Sequence, residues 1–147
     1  MSVFAAELID LALVAADKVA AITSLAERAV AAGRGSDAAQ IVKDVVARDE
    51  MGTPQFDGVA IPHARSAGID VASVLVARSA DGIIFDPEEP GADVIFMILV
   101  PEGGGDEHIA ILSGLARRLM DPEFTAALRT SESAEALVAV LSNGEAN

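Results

Sequence analysis

The chain has 147 residues, of which 52% are hydrophobic and none is cysteine, and its formal net charge at pH 7 is −13. This length favours one domain that buries roughly two-thirds of the surface its unfolded chain exposes, and the lack of cysteine excludes disulfides and thiolate zinc sites. The acidic balance argues against nucleic acid and anionic membranes as ligands, because both are polyanions.

The first part of the chain is predicted to be helical. Apolar residues recur at three- and four-residue steps over residues 17–32, which is the period of an amphipathic helix, and Gly33 ends the pattern. Ser36-Asp37 can cap a second helix over residues 38–47. Only a short apolar segment, residues 8–15, precedes these two helices.

The middle of the chain changes to strands. Residues 58–61, 71–77 and 94–100 are short β-branched or apolar runs bounded by Gly, Pro and Asp. Such runs are typical of strands covered on both faces, so we expect a mixed sheet with helices on either side. The longest uninterrupted apolar run, 94–100, is far shorter than the ~20 residues of a membrane-spanning helix.

The last part of the chain returns to helices. Residues 103–105 are all glycine and should be irregular, after which Asp106 can cap a helix ending near residue 120. Asp121-Pro122 is typical of another helix start, since Asp suits the cap and Pro the first helical position. A final helix is predicted over residues 131–141, and residues 143–147 are expected to form a frayed tail.

The sequence also gives an expectation about the cellular location and about ligands that stack on aromatic residues. The N-terminal segment carries Glu7 and Asp10 and no positive charge before Lys18, which does not fit a secretory signal, so we expect a cytoplasmic protein. The aromatic residues are five Phe, with no Trp or Tyr, which disfavours a stacking platform for bases or sugars.

Two histidines are the strongest candidates for chemistry. His63 follows Ile61-Pro62 at the end of a predicted strand, and ligands of open sheets bind at such strand ends. His108 lies in the first helical turn after the glycine run, where unsatisfied amide groups favour an anion. A neutral imidazole is nucleophilic at pH 7, and amide donors with an arginine can neutralise phosphoryl oxygens without a metal. The pattern therefore favours a phosphoryl group as the ligand.

Other interpretations of these residues stay open at this point. His63 alone could be a packed or solvated loop residue, and His108 alone an exposed residue at a helix start. A zinc site formed by both histidines with Asp106 or Glu107 is chemically possible, but the spacing matches no known ligand motif. The glycine run could be a flexible loop, and it lacks the Lys-Ser/Thr of a nucleotide P-loop.

Residues 58–65, Gly-Val-Ala-Ile-Pro-His-Ala-Arg, resemble a known active-site stretch. It is that of the fructose/mannitol-type (type 2) enzyme IIA domains of the bacterial phosphoenolpyruvate-dependent sugar phosphotransferase system. The resemblance extends over roughly residues 5–142, and a second histidine at the start of a later helix is in register with it. Further similar blocks are Asp17-Lys18, residues 74–78, 91–96, 107–112 and 120–124, and Leu115-Ala116.

The resemblance implies a fold and an activity. The implied fold is an α+β domain, a three-layer α/β/α sandwich with a mixed central sheet, occupying residues 1–147 as a single domain. The implied activity is that of a phosphocarrier without a cofactor, in which Nε2 of His63 accepts the phosphoryl group from phospho-HPr. His63 then passes the group to a cysteine of an enzyme IIB domain during sugar uptake, with fructose the expected sugar. This chain has no cysteine, so the IIB domain must be supplied from elsewhere.

The resemblance also implies supporting residues. His108 is expected to hold the phosphoryl group or orient the reactive ring, and Arg48 to contribute positive charge. Thr53 and Arg65 are expected as binding residues. The loop after Arg48 is one residue shorter than is usual in the family, and Pro54-Gln55 replaces Gly-Ile, so Arg65 or Arg78 could take the place of Arg48.

Two other functions remain compatible with the sequence. In one, the chain is a regulatory module whose phosphorylation at His63 reports nitrogen or metabolic status to a partner without onward transfer. In the other, it is a degenerate relative that binds an anion without turnover. Presentation of a IIB domain, and exposure to the phosphorelay itself, would separate these possibilities.

Overall fold

The computed structural model describes residues 2–104 and 107–145, and three of its helices begin at capping aspartates. The side chains of Asp17, Asp37 and Asp121 each accept a hydrogen bond from an amide in the first turn of the helix that follows. The helices are α1 (Lys18–Ala31), α2 (Ala38–Asp49), α3 (Glu107–Arg118), α4 (Pro122–Thr130) and α5 (Ala134–Glu145), with a 3₁₀ turn at Ala6–Leu8. The predicted helix starts at residues 38 and 122 are confirmed, and the first helix begins one residue after the predicted residue 17, which is its cap.

The sheet is mixed, as predicted, and has six strands in the described residues. The strands are β1 (Ile9–Asp10), β2 (Gln55–Phe56), β3 (Val59–Ala60), β4 (His63–Ser66), β5 (Ser73–Ile83) and β6 (Ala92–Pro101). The strand order is β1-β5-β6-β3-β2, and β4 also pairs with β6. The β5–β6 and β2–β3 pairs are antiparallel, whereas β1 is parallel to β5, and both β3 and β4 are parallel to β6.

The sheet is the middle of three layers, which confirms the predicted α/β/α sandwich. Alternate residues of the central strand β6 belong to different apolar clusters. Ile95, Met97 and Leu99 pack with buried residues of α1 and α2. Val94, Phe96 and Ile98 pack with buried residues of α3, α4 and α5. Among the described residues, no helix is both long and apolar enough to cross a membrane.

Several boundaries differ from those predicted. Strand β5 continues to Ile83, beyond the predicted segment 71–77. The prediction stopped short because the outer half of the strand is partly exposed and carries no continuous apolar run. Helix α5 begins at Ala134, since Ser131 is the C-cap of α4 instead of a new start. The same helix continues to Glu145, so most of the segment expected to be a frayed tail is helical, and residues 146–147 lie outside the described part of the chain.

Candidate functional site

His63 opens a strand, so the prediction that it lies where a strand gives way to a loop is wrong. Val59 pairs with Val94, and His63 pairs with Ile98. The difference in residue number is the same in both pairs, so β3 and β4 pair with β6 in one register. Between them, the carbonyl of Pro62 accepts a hydrogen bond from the Ile98 amide at 3.0 Å.

The register places the imidazole on the side of the sheet that α3 covers. Side chains alternate between faces along a strand. Val59, Ile61 and Ile98 all belong to the cluster shared with α3, α4 and α5, and His63 continues that alternation. Arg65 lies on the same face two residues later. Its Nη1 donates to the carbonyl of Gly104 at 2.7 Å, which holds the segment preceding α3 against β4.

The hydrogen bonding of His63 indicates the tautomer of its ring. The ring is largely buried, with 9% of the residue exposed, and its Nδ1 lies 3.1 Å from the carbonyl oxygen of Ile61. Because a carbonyl oxygen only accepts, Nδ1 carries the hydrogen, and the lone pair of the neutral ring is on Nε2. The amide of Ile61 in turn donates to the carbonyl of Pro54 at 2.9 Å, so the orienting carbonyl is itself held.

A cleft of about 430 Å³ contains this histidine and two arginines. It is lined by Asp44, Arg48, His63, Ala64 and Arg65. Asp44 and Arg48 are four residues apart on α2, which places them on one face of that helix. The cleft therefore joins a nucleophilic imidazole from the sheet to positive charge from both α2 and β4, a combination that suits a doubly charged phosphoryl group.

Two side chains of the cleft from α2 have defined partners. Nη1 of Arg48 donates to the carbonyl of Gly52 at 3.0 Å, in the turn that follows the helix. Both carboxylate oxygens of Asp44 accept from Nε2 of Gln40 at 3.1 Å. Asp44 was not predicted as a lining residue, although its spacing from Arg48 on a predicted helix could have indicated it.

The remaining candidates lie elsewhere. The hydroxyl of Thr53 donates to the carboxylate of Asp49, and Thr53 is not among the residues that line the cleft. Nη1 of Arg78 donates to the carbonyls of Leu128 and Ser131, at 3.3 and 2.7 Å. Arg78 pairs with Val94, four residues along β6 from the partner of His63, or about 13 Å away. Arg78 therefore does not replace Arg48.

His108 is the second residue of α3, the helix predicted to follow the glycine run. Its side chain and that of Glu107 lie outside what the structure describes, as do Gly105 and Asp106 entirely. The predicted roles of these residues, including the alternative zinc site, therefore remain predictions. Among the described residues, no three His, Asp or Glu side chains gather in a way that could hold a metal ion.

Comparisons with known proteins show which family and which solved structures this chain resembles. The family model described as "Phosphoenolpyruvate-dependent sugar phosphotransferase system, EIIA 2" matches residues 2–144. The PTS system fructose-specific EIIA component of Haloferax volcanii is 39% identical over 137 residues, which are 92% of this chain and 89% of that protein. The crystal structure of nitrogen regulatory protein IIA-Ntr from Neisseria meningitidis has a TM-score of 0.84 and 28% identity, covering 95% of this chain and 96% of that one.

A further solved structure shares the fold. It is a complex of enzyme IIAMtl and phosphorylated enzyme IIBMtl from Escherichia coli, with a TM-score of 0.78 and 23% identity. The match covers 95% of this chain and 97% of that one.

Proposed function

Because the chain belongs to the EIIA type 2 family of the phosphoenolpyruvate-dependent sugar phosphotransferase system, and so is a phosphocarrier, we propose that it carries the phosphoryl group on Nε2 of His63. The observation that supports this assignment best is the hydrogen bond between Nδ1 of His63 and the carbonyl of Ile61. That bond leaves the nucleophilic lone pair on the other ring nitrogen, and the ring lines a cleft with two arginines.

The proposed reaction consists of two displacements at phosphorus. In the first, the lone pair of Nε2 attacks the phosphorus of phospho-HPr, an N–P bond forms, and the donor histidine of HPr leaves with the electron pair of its own N–P bond. In the second, a cysteine thiolate of an enzyme IIB domain attacks, an S–P bond forms, and His63 recovers its lone pair. Such transfer needs positioning and charge neutralisation above all.

The arginines and His108 are proposed to serve these needs. Arg48, from the last turn of α2, would neutralise the phosphoryl oxygens, and its position in the cleft supports this role. Arg65 would add charge from the strand and hold the segment that leads into α3. His108 would contact the phosphoryl group or orient the reactive ring from the start of α3.

The proposed partners are phospho-HPr as donor and an enzyme IIB domain on another chain or domain as acceptor, and the proposed site of action is the cytoplasm. The fructose-specific relative makes fructose the first sugar to test. The regulatory alternative has support from the likeness to nitrogen regulatory protein IIA-Ntr, but that protein is less similar in sequence than the fructose-specific relative.

Intact mass spectrometry tests the proposal. The purified chain is incubated with phosphoenolpyruvate, enzyme I and HPr, then presented with fructose-type IIB domains. We expect one acid-labile phosphoryl group per chain, followed by its loss to IIB. Labelling without transfer to any IIB domain would favour the regulatory alternative. Absence of labelling would favour an anion-binding relative without turnover.

A further inference from the structure

A partly buried charge cluster lies outside the cleft and includes Asp49, the residue that follows Arg48 on α2. The Asp49 side chain is only 5% exposed, and one of its oxygens lies 2.6 Å from Nζ of Lys18, the first residue of α1. Its other oxygen accepts from the hydroxyl of Thr53. Nζ of Lys18 also donates to the carbonyl of Phe85 at 3.0 Å. We call Lys18, Asp49 and Thr53 the anchor cluster.

Asp49 and Thr53 of the anchor cluster lie at the two ends of the turn whose carbonyl binds Arg48. The amide of Gly52 donates to the carbonyl of Asp49 at 2.9 Å, and the carbonyl of Gly52 accepts from Arg48 at 3.0 Å. Gly52 has a φ of 103°, a conformation that side-chain-bearing residues rarely adopt. The turn therefore has a defined shape and presents one carbonyl to the guanidinium.

Packing cannot hold this turn in place. Glu50, Met51 and Gly52 are all exposed, with Met51 at 80%. The turn is attached to the protein at its two ends, through the buried Asp49 at one and through Thr53 at the other. After Thr53, the carbonyl of Pro54 accepts from the amide of Ile61, so the next attachment lies beside the reactive histidine.

We propose that the anchor cluster is a positioning device for phosphoryl transfer: by fixing both ends of the turn, it holds the guanidinium of Arg48 at the distance from His63 that the phosphoryl group requires. The inference rests on the proposed function, and it gives Thr53 a positioning role in place of the contact role expected from the resemblance. Displacement of a charged group by about 1 Å can cost up to ~100-fold in rate, so even a small movement of the turn is measurable.

The informative variant is Thr53→Val, because it removes one hydroxyl and keeps the side-chain shape. Lys18 remains on Asp49, so the carboxylate keeps its ion pair, whereas removing Lys18 would leave the buried carboxylate of Asp49 uncompensated and destabilise the fold. Thr125→Val is a matched control. Thr125 is buried whereas Thr53 is half-buried, but each has one hydroxyl hydrogen bond, that of Thr125 being to the carbonyl of Pro122 on α4.

The experiment measures the rate of phosphoryl acceptance from phospho-HPr by the full chain, together with its thermal unfolding. We expect Thr53→Val to slow acceptance about tenfold, Thr53→Ser to restore it, and Thr125→Val to leave it unchanged. In a double-mutant cycle, Thr53→Val should have little further effect once Arg48 has been replaced by Ala, because the group that it positions is gone.

The outcomes separate this inference from the proposed function. If the wild-type chain takes no label, the proposed function fails and the inference with it. If the wild-type chain is labelled but Thr53→Val accepts at the wild-type rate, the inference alone fails. It also fails if the serine variant does not restore the rate, or if Thr53→Val and Arg48→Ala reduce the rate by independent, multiplicative factors.

Discussion

At the scale of single residues, the proposed chemistry depends on one imidazole. Replacing His63 with Ala removes the imidazole that lines the cleft in the described part of the chain, so we expect acceptance of the phosphoryl group to be abolished. Intact mass spectrometry after exposure to the phosphorelay measures this directly. A His63→Ala chain that still took one phosphoryl group per molecule would contradict the assignment.

Arg48 is expected to speed phosphoryl acceptance through its positive charge. Arg48→Ala removes a cation from the cleft, and we expect acceptance to slow by ~10- to 100-fold while the site can still be labelled. Lys43→Ala is the matched control, because Lys43 is an exposed cation on the same helix and is not among the cleft-lining residues. Equal effects of the two substitutions would show that Arg48 contributes only to the general charge.

His63 could be singled out from the sequence at this scale, because its place after Ile61-Pro62 is a local signal. Arg48 was expected only from the family resemblance. The ion pair between Lys18 and Asp49 could not be predicted in this way, since it joins the start of one helix to the end of another. The partner of the Thr53 hydroxyl likewise depends on the shape of a turn.

At the scale of secondary-structure elements, two glycines should respond in opposite ways to a methyl group. Gly114 is inside α3, and a Cβ there would meet nothing within 4 Å. Glycine in a helix interior costs about 0.5–1 kcal/mol relative to alanine, so Gly114→Ala should raise the free energy of unfolding by that amount.

Gly58 provides the contrast. With Asp57 it forms the two-residue turn between β2 and β3, both residues having positive φ, and a Cβ would lie 3.0 Å from Arg129 Nη2 and from Asp93 Oδ1. Gly58→Ala should therefore destabilise the fold by more than about 1 kcal/mol. Urea unfolding of both variants measures the difference, and a loss of stability in Gly114→Ala or a gain in Gly58→Ala would contradict these expectations.

The contacts of this turn include a charged pair. Nε and Nη2 of Arg129, on α4, bind the carboxylate of Asp93 at 2.7 and 3.0 Å, and Nη2 also donates to the carbonyl of Asp57. The hydrogen bond to Asp93 raises the pKa of Arg129, and partial burial opposes that rise. Stability due to this raised pKa is therefore fully present at neutral pH and is lost only in strong alkali, as the pH rises through the raised value.

Elements whose signals lie close together in the sequence were predicted correctly, and elements that depend on distant residues were not. Helices α1, α2 and α4 begin at aspartates and have apolar residues at helical spacing, and both signals lie within a few residues. Strands β1 and β2 have two residues each, which is too short for any pattern. Strand β4 was missed because its identity depends on pairing with β6, more than 30 residues away, and Pro62 interrupts its sequence pattern.

At the scale of the whole molecule, the net charge of −13 should affect encounter with the donor. HPr is expected to present positive charge near its phosphorylated histidine, so attraction should speed association at low ionic strength. Between about 0.01 M and 1 M salt the Debye length falls from ~30 to ~3 Å, and we expect the second-order rate of acceptance to fall about tenfold or more.

The control for this effect is a reaction without encounter. Hydrolysis of the isolated phosphorylated chain involves no second protein, so its rate should change little over the same range of salt concentration. The rate of phosphoryl acceptance and the rate of hydrolysis are measured in parallel at several salt concentrations. An acceptance rate independent of salt would show that the overall charge has no part in partner encounter.

The central claim is that Nε2 of His63 bonds to phosphorus, and nitrogen NMR tests it most directly. The chain has only two histidines, so ¹⁵N-histidine labelling yields four ring-nitrogen signals that can be assigned with a His108→Gln variant. After phosphorylation by the relay, we predict that coupling to phosphorus is seen at Nε2 of His63 alone. Coupling at Nδ1 of His63 or at either nitrogen of His108 would contradict the account.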